Sequence, residues 1–101
     1  MRIMMIVKMA NKAFKDAVRD ASAGTKMKMI LDELKPEATY FTEMNGQRTC
    51  IMFVDLEEPS KIPALAEPWF LTFDAAVEFH VIMGPDELEK AGLDKLGKKW
   101  V

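Results

Sequence analysis

The only histidine of the chain, His80, follows Glu78 by two residues in the run Ala76-Val77-Glu78-Phe79-His80-Val81-Ile82-Met83. Alternate residues of a β-strand share one face, so this spacing predicts an imidazole and a carboxylate on the same side. Such a pair is what general acid–base chemistry near neutral pH requires. Neighbours at i and i+2 stand about 7 Å apart, so Glu78 would act on His80 through its field and not through a direct bond. Arg2 and Lys8 close the two ends of another strand-like run, Arg2-Ile3-Met4-Met5-Ile6-Val7-Lys8, and either could hold an anionic substrate. Tyr40, Thr42 and Thr49 could offer hydroxyls to a ligand, and Asp55 could join this polar set. Each residue also has a plainer role. His80 suits a subunit interface or a half-exposed edge. Thr42 and Thr49 suit an ordinary cross-strand pair, and Asp55 a solvated strand end.

Other chemistries lack their residues. The single cysteine, Cys50, needs a base or cation to become a nucleophile. Its expected neighbour across the sheet is Phe41, which favours a buried, inert thiol. One histidine and one cysteine on different strands are too few soft ligands for zinc, so no metal is expected. There is no glycine-rich phosphate loop and no Ser/His/Asp set. The chemistry these residues allow requires no cofactor.

Composition narrows the setting. The chain has 101 residues, half of them hydrophobic and 30% charged, which fits one domain spanning 1–101. A net charge of −2 offers no footprint for nucleic acid. The apolar runs fall well short of a membrane span of about 20 residues. The amino terminus has a short apolar run without the small-residue cleavage site of a signal peptide. A lone cysteine suits the reducing cytoplasm. Nine methionines suit a core or a contact face filled by adaptable side chains.

The elements that would position these groups are legible from periodicity. Residues 2–9, 37–43, 47–56 and 75–83 read as strands. Residues 10–35 read as helix in two stripes, Ala13-Phe14-Ala17-Val18-Ala21 and Met27-Ile30-Leu31-Leu34. Gly24 lies between the stripes, and Thr25 is a candidate N-cap. Pro36 stops the helix. Asn45-Gly46 predicts a two-residue type I′ hairpin. That loop sets Glu43 opposite Arg48, Thr42 opposite Thr49, Phe41 opposite Cys50 and Tyr40 opposite Ile51. Ser60 is a plausible N-cap for a short helix with Ile62, Leu65 and Ala66, which Pro68 should kink or end. Trp69, Phe70 and Phe73 could wall a pocket or join the core. Gly84-Pro85 opens another short helix, which Gly92 closes. The tail from Leu93 carries Lys95, Lys98, Lys99 and Trp100, and its tryptophan could dock on a partner subunit.

The order β-α-β-turn-β-α-β predicts an α+β, ferredoxin-like unit with an antiparallel sheet in the order 4-1-3-2. Right-handed crossovers place both helical segments on one face, over Ile3, Met5, Val7, Val77, Phe79 and Val81. The other face would carry Met4, Ile6 and Ile82, joined by Tyr40, Ile51 and Phe53 in the favoured one of the two phases open to the hairpin. An apolar patch of several hundred Å² is seldom left wet, and hiding it is worth several kcal/mol at roughly 25 cal/mol per Å². A second copy related by a two-fold axis is the simplest cover.

With that assembly, Met1–Lys8, the Leu34-Lys35-Pro36-Glu37-Ala38 junction, the Asn45-Gly46 hairpin and Ile62-Pro63-Ala64-Leu65-Ala66-Glu67-Pro68-Trp69-Phe70, the chain resembles small bacterial proteins of the dimeric α+β barrel superfamily. It is similar to the uncharacterised ferredoxin-like families of about a hundred residues within it. Relatives there include muconolactone isomerase-like, antibiotic-biosynthesis-monooxygenase-like and YCII-like proteins. The resemblance implies a homodimer that binds a small organic molecule, although no catalytic residue of those relatives maps onto this chain. The expectation is a cofactor-independent site on the non-helical face. His80 would be the base, Glu78 its electrostatic partner, Lys8 or Arg2 the anion anchor, and Tyr40 and Thr42 ligand hydroxyls. The alternatives are a non-enzymatic dimerisation or sensing module, or a subunit that binds another protein through apolar surface near Trp69 and Trp100.

Overall fold

The Asn45-Gly46 pair organises half of the sheet. Asn45 and Gly46 have φ of 54° and 77°, the left-handed conformation that a two-residue turn between twisted strands needs. The register then runs from Met44 opposite Gln47 to Ala38 opposite Phe53, with Phe41 opposite Cys50 and Tyr40 opposite Ile51. Glu43 and Arg48 stand opposite each other, yet form no ion pair. Glu43 Oε2 instead accepts the Gly46 N–H at 3.0 Å.

The computed structural model describes residues 1–101. The chain runs through β1 (Arg2–Lys8), α1 (Asn11–Arg19), α2 (Ala23–Leu34), β2 (Ala38–Met44) and β3 (Gln47–Asp55). A 3-10 turn (Pro59–Lys61), α3 (Ile62–Phe73), β4 (Ala76–Val81), α4 (Pro85–Lys90) and α5 (Leu93–Lys99) complete it. This is an α+β architecture with one four-stranded antiparallel sheet, ordered β2-β3-β1-β4. Counted from the other edge, that order is β4-β1-β3-β2.

Alternation along the central strands builds the core. Ile3, Met5 and Val7 of β1 and Cys50, Met52 and Val54 of β3 are buried on one face, beneath Ala17, Ile30, Trp69 and Phe73. Val77 and Phe79 of β4 pack against this cluster. Val81 was expected there too, but is 66% exposed, because it lies at the end of an edge strand. Val18, expected in the first helical stripe, is likewise exposed. Met5, Met9 and Met52 fill the core.

The helix after β1 breaks, but not at Gly24. It stops at Arg19, and Ala21 adopts a φ of 64°. Asp20 Oδ1 accepts the Ser22 N–H at 2.9 Å, and the same N–H bonds to the Ala17 carbonyl. A short side chain that satisfies the backbone locally can end a helix where no glycine stands. Gly24 and Thr25 lie inside α2, so Thr25 is no cap.

Pro68 does not end α3, which continues to Phe73. Proline inside a helix costs about 3 kcal/mol. Burial of Ala66, Trp69 and Phe73, spaced i, i+3 and i+7, offsets that cost. Ser60 sits inside the 3-10 turn, where its hydroxyl donates to Glu58 Oε1 at 2.7 Å. It therefore caps no α-helix.

Beyond β4 the chain leaves the body. The segment expected to be a tail is helix α5, and neither α4 nor α5 buries a residue. The chain measures 59 Å along its longest axis and has a radius of gyration of 17.1 Å, against about 13 Å for a rounded domain of this length.

Candidate functional site

The face of the sheet turned away from α1, α2 and α3 carries His80, Glu78, Tyr40, Thr42, Lys8 and Arg2. Its rows follow from the strand register. One row holds His80, Met4, Phe53 and Ala38. The next holds Glu78, Ile6, Ile51 and Tyr40. A third holds Ala76, Lys8, Thr49 and Thr42. The centre is apolar and half-buried, formed by Met4, Ile6, Ile51 and Phe53. Polar side chains stand around it.

The local partners divide these residues into free and engaged. Arg2 is engaged, since its Nε lies 3.2 Å from Glu37 Oε2. Asp55 is engaged as well, with Oδ1 3.0 Å from the amino terminus of Met1. Thr49 is buried, and its hydroxyl donates to the Gln47 carbonyl at 3.0 Å. Thr42 Oγ1 donates weakly to the Glu43 carbonyl at 3.5 Å. Lys8 is half-buried and takes part in no ion pair. Of the two candidate anion anchors, Lys8 is the one left free.

His80 and Glu78 share the face as their spacing predicts, and both are exposed. Tyr40 is exposed and meets the Phe53 ring edge-on, with centroids 6.4 Å apart. Tyr40 and Glu78 belong to opposite edge strands. Three strand spacings separate them, about 14 Å. Within one chain, therefore, the register gathers the acid–base pair but does not bring the tyrosine to it.

This face holds no cavity in the single chain. The largest concavity, about 530 Å³, lies on the helical side between α2 and α3, beside Lys26, Met29, Glu33, Pro68 and Leu71. Smaller ones lie at the α4–α5 elbow and near Lys61. No cluster of three or more His, Cys, Asp or Glu side chains is assembled to hold a metal. No helix is long and apolar enough to cross a membrane.

Cys50 is fully buried on the helical face, and that burial pushes its thiol up to about 11. A thiol held protonated is a poor nucleophile. Trp69 and Phe73 belong to the core and wall no pocket, while Phe70 is 41% exposed. Apolar surface for a partner is therefore absent at Trp69 and present at Trp100, which is 75% exposed.

The spacing Leu93, Leu96, Trp100 carried a signal that the site-directed reading passed over. These positions are i, i+3 and i+7, the spacing of one helix face, and all three are exposed, Leu93 and Leu96 on α5 and Trp100 at its C-cap. No protein-family model matches the chain, and no curated protein shows significant similarity to it.

Proposed function

We propose that the protein is a homodimeric, ferredoxin-like module of the dimeric α+β barrel kind, whose two open sheets enclose a small organic acid. The supporting observation is the character of the open face, an apolar centre with an unpaired lysine and a His–Glu pair around it. Exposed area supports the dimer. The chain exposes 7173 Å², whereas a folded monomer of 11.5 kDa is expected to expose about 5,800 Å². The surplus exceeds the roughly 800 Å² that each partner buries in an ordinary stable interface.

Dimer geometry also gives the scattered residues a common place. A two-fold axis lying between the sheets and along the strands sets the β2 edge of one protomer over the β4 edge of its partner. Sheets packed face to face stand about 10 Å apart. Tyr40 of one protomer then faces Glu78 and His80 of the other across the chamber. A carboxylate ligand would pair with Lys8 and rest its apolar body on Ile6 and Ile51. His80 would exchange a proton with it, Glu78 would stabilise the imidazolium, and the Tyr40 and Thr42 hydroxyls would orient it.

The second reading is a non-enzymatic dimerisation module. It draws on the absence of any hydrogen bond among His80, Glu78, Lys8 and Tyr40 in the single chain. Thermal shift with a panel of aromatic and aliphatic carboxylic acids separates the two. The site reading expects at least one acid to raise Tm, and expects Lys8→Met and His80→Ala to abolish that rise while the dimer persists. No rise with any acid, or a rise that both variants retain, contradicts it. Loss of the dimer in His80→Ala favours the second reading.

A further inference from the structure

Two apolar features of this chain lack a neighbour, and they match. The first is the side of β2 that faces the helix layer. Phe41 points to the same side as Cys50, its partner in the register. Cys50 is fully buried, but Phe41 is 58% exposed, so the helix layer stops short of the β2 edge. The second is the arm formed by α4 and α5. Leu93 and Leu96 lie on one side of α5, with Asp94, Lys95, Lys98 and Lys99 on the others, and Trp100 follows at its C-cap; the three apolar residues are 58%, 44% and 75% exposed. An amphipathic helix with a wet apolar face is stable only when something covers that face.

We propose that the α4–α5 arm of each protomer wraps around the β2 edge of a second copy and seats Leu93, Leu96 and Trp100 over Phe41. This rests on the face-to-face dimer described above, which sets β4 of one copy beside β2 of the other. β4 ends at Val81 and α4 opens at Pro85, so the arm starts at the edge it must pass. Two short helices of six and seven residues span about 9 and 10 Å, enough to turn past one strand. The elongation of the single chain and its surplus exposed area are both accounted for, since a sheet-to-sheet contact alone leaves the arms in water. The exchange would also close the side of the chamber nearest Tyr40, making the partner's arm a wall of the ligand site.

Two measurements on the full chain test this. The first is acrylamide quenching of tryptophan emission, compared between the natural chain and Trp100→Phe. Trp69 is fully buried, so the difference reports Trp100. Trp100 is expected to be several-fold less quenchable at concentrations where light scattering shows a dimer than under dilution to monomer. The second is oxidation of an equimolar mixture of full-length Phe41→Cys and Leu96→Cys. A mixed interchain disulfide is expected when both chains also carry Cys50→Val, because the register sets Cys50 directly opposite position 41, close enough to pair with a cysteine there. A dimer with Trp100 freely quenched and no mixed disulfide overturns the arm exchange and leaves the sheet-to-sheet reading standing. Protected Trp100 without the disulfide overturns Phe41 as the seat. A chain that stays monomeric overturns both proposals.

Discussion

The guanidinium of Arg48 lies over the Phe14 ring, 5.1 Å from its centroid, and not against Glu43, its neighbour across the hairpin. This contact ties the hairpin to α1, because Phe14 in turn packs on Phe73 with ring centroids 5.1 Å apart. The opposed charges on the strand pair carry little of the register. The Asn45-Gly46 turn and the Glu43 bond to Gly46 carry it.

A double-mutant cycle should show that division. Arg48 and Phe14 are expected to couple by about 0.5–1 kcal/mol in urea denaturation, as a cation over a half-buried ring at the surface does. Arg48 and Glu43 are expected to couple by less than about 0.3 kcal/mol, as an unmade surface pair does. The reverse ranking would return the register to the ion pair.

Cys50 should resist thiol reagents at pH 8 in the native protein and react only after unfolding. Its ordinary value of 9.0 is raised to about 11 by burial. The folded state therefore holds a proton that the unfolded state releases between those values. Stability from this group is complete below pH 9.0 and declines as pH rises towards about 11. Urea midpoints at pH 8 and pH 10.5 should show that decline, and Cys50→Val should reduce it. Native labelling at pH 8 as fast as that of a free thiol would contradict the burial.

Trp69 is fully buried, and its indole N–H has no partner. Trp69→Phe therefore loses volume without losing a hydrogen bond, and should cost about 1–2 kcal/mol. Trp69→Ala should cost about 3–5 kcal/mol, as large-to-small changes in a closed core do. A cost for Trp69→Phe well above that range would mean that the N–H is bonded after all.

Much of the fold was legible because its signals are local. The two positive-φ residues of the hairpin fix the β2–β3 register, and strict alternation fixes which side of β1 and β3 is core. Tyr40, Ile51 and Phe53 fell on the open face by the same rule. Where the helix breaks was not legible, because glycine is the usual left-handed residue, while here Ala21 takes that conformation beside the Asp20 turn. The run through Pro68 was not legible, because only tertiary burial of Trp69 and Phe73 decides it. The candidate site was legible as a set of residues sharing one face. Its assembly was not, because spacing along a strand says nothing about the 14 Å or so between edge strands.

Ile51 sits at the centre of the open face, turned away from the helices. Ile51→Asp should leave the far-UV spectrum and the monomer fold intact, since the side chain is only half-buried in the single chain. A carboxylate there would be buried without a partner in the dimer, which should weaken association by about a hundredfold or more. Unchanged association would place the contact elsewhere.

The central claim is that the open sheet of one copy is covered by the open sheet of another. Sedimentation equilibrium of the natural chain at micromolar concentration tests it most directly. The account predicts a particle of twice the 11.5 kDa chain mass, dissociating in Ile51→Asp. A particle of single chain mass across that range would contradict it.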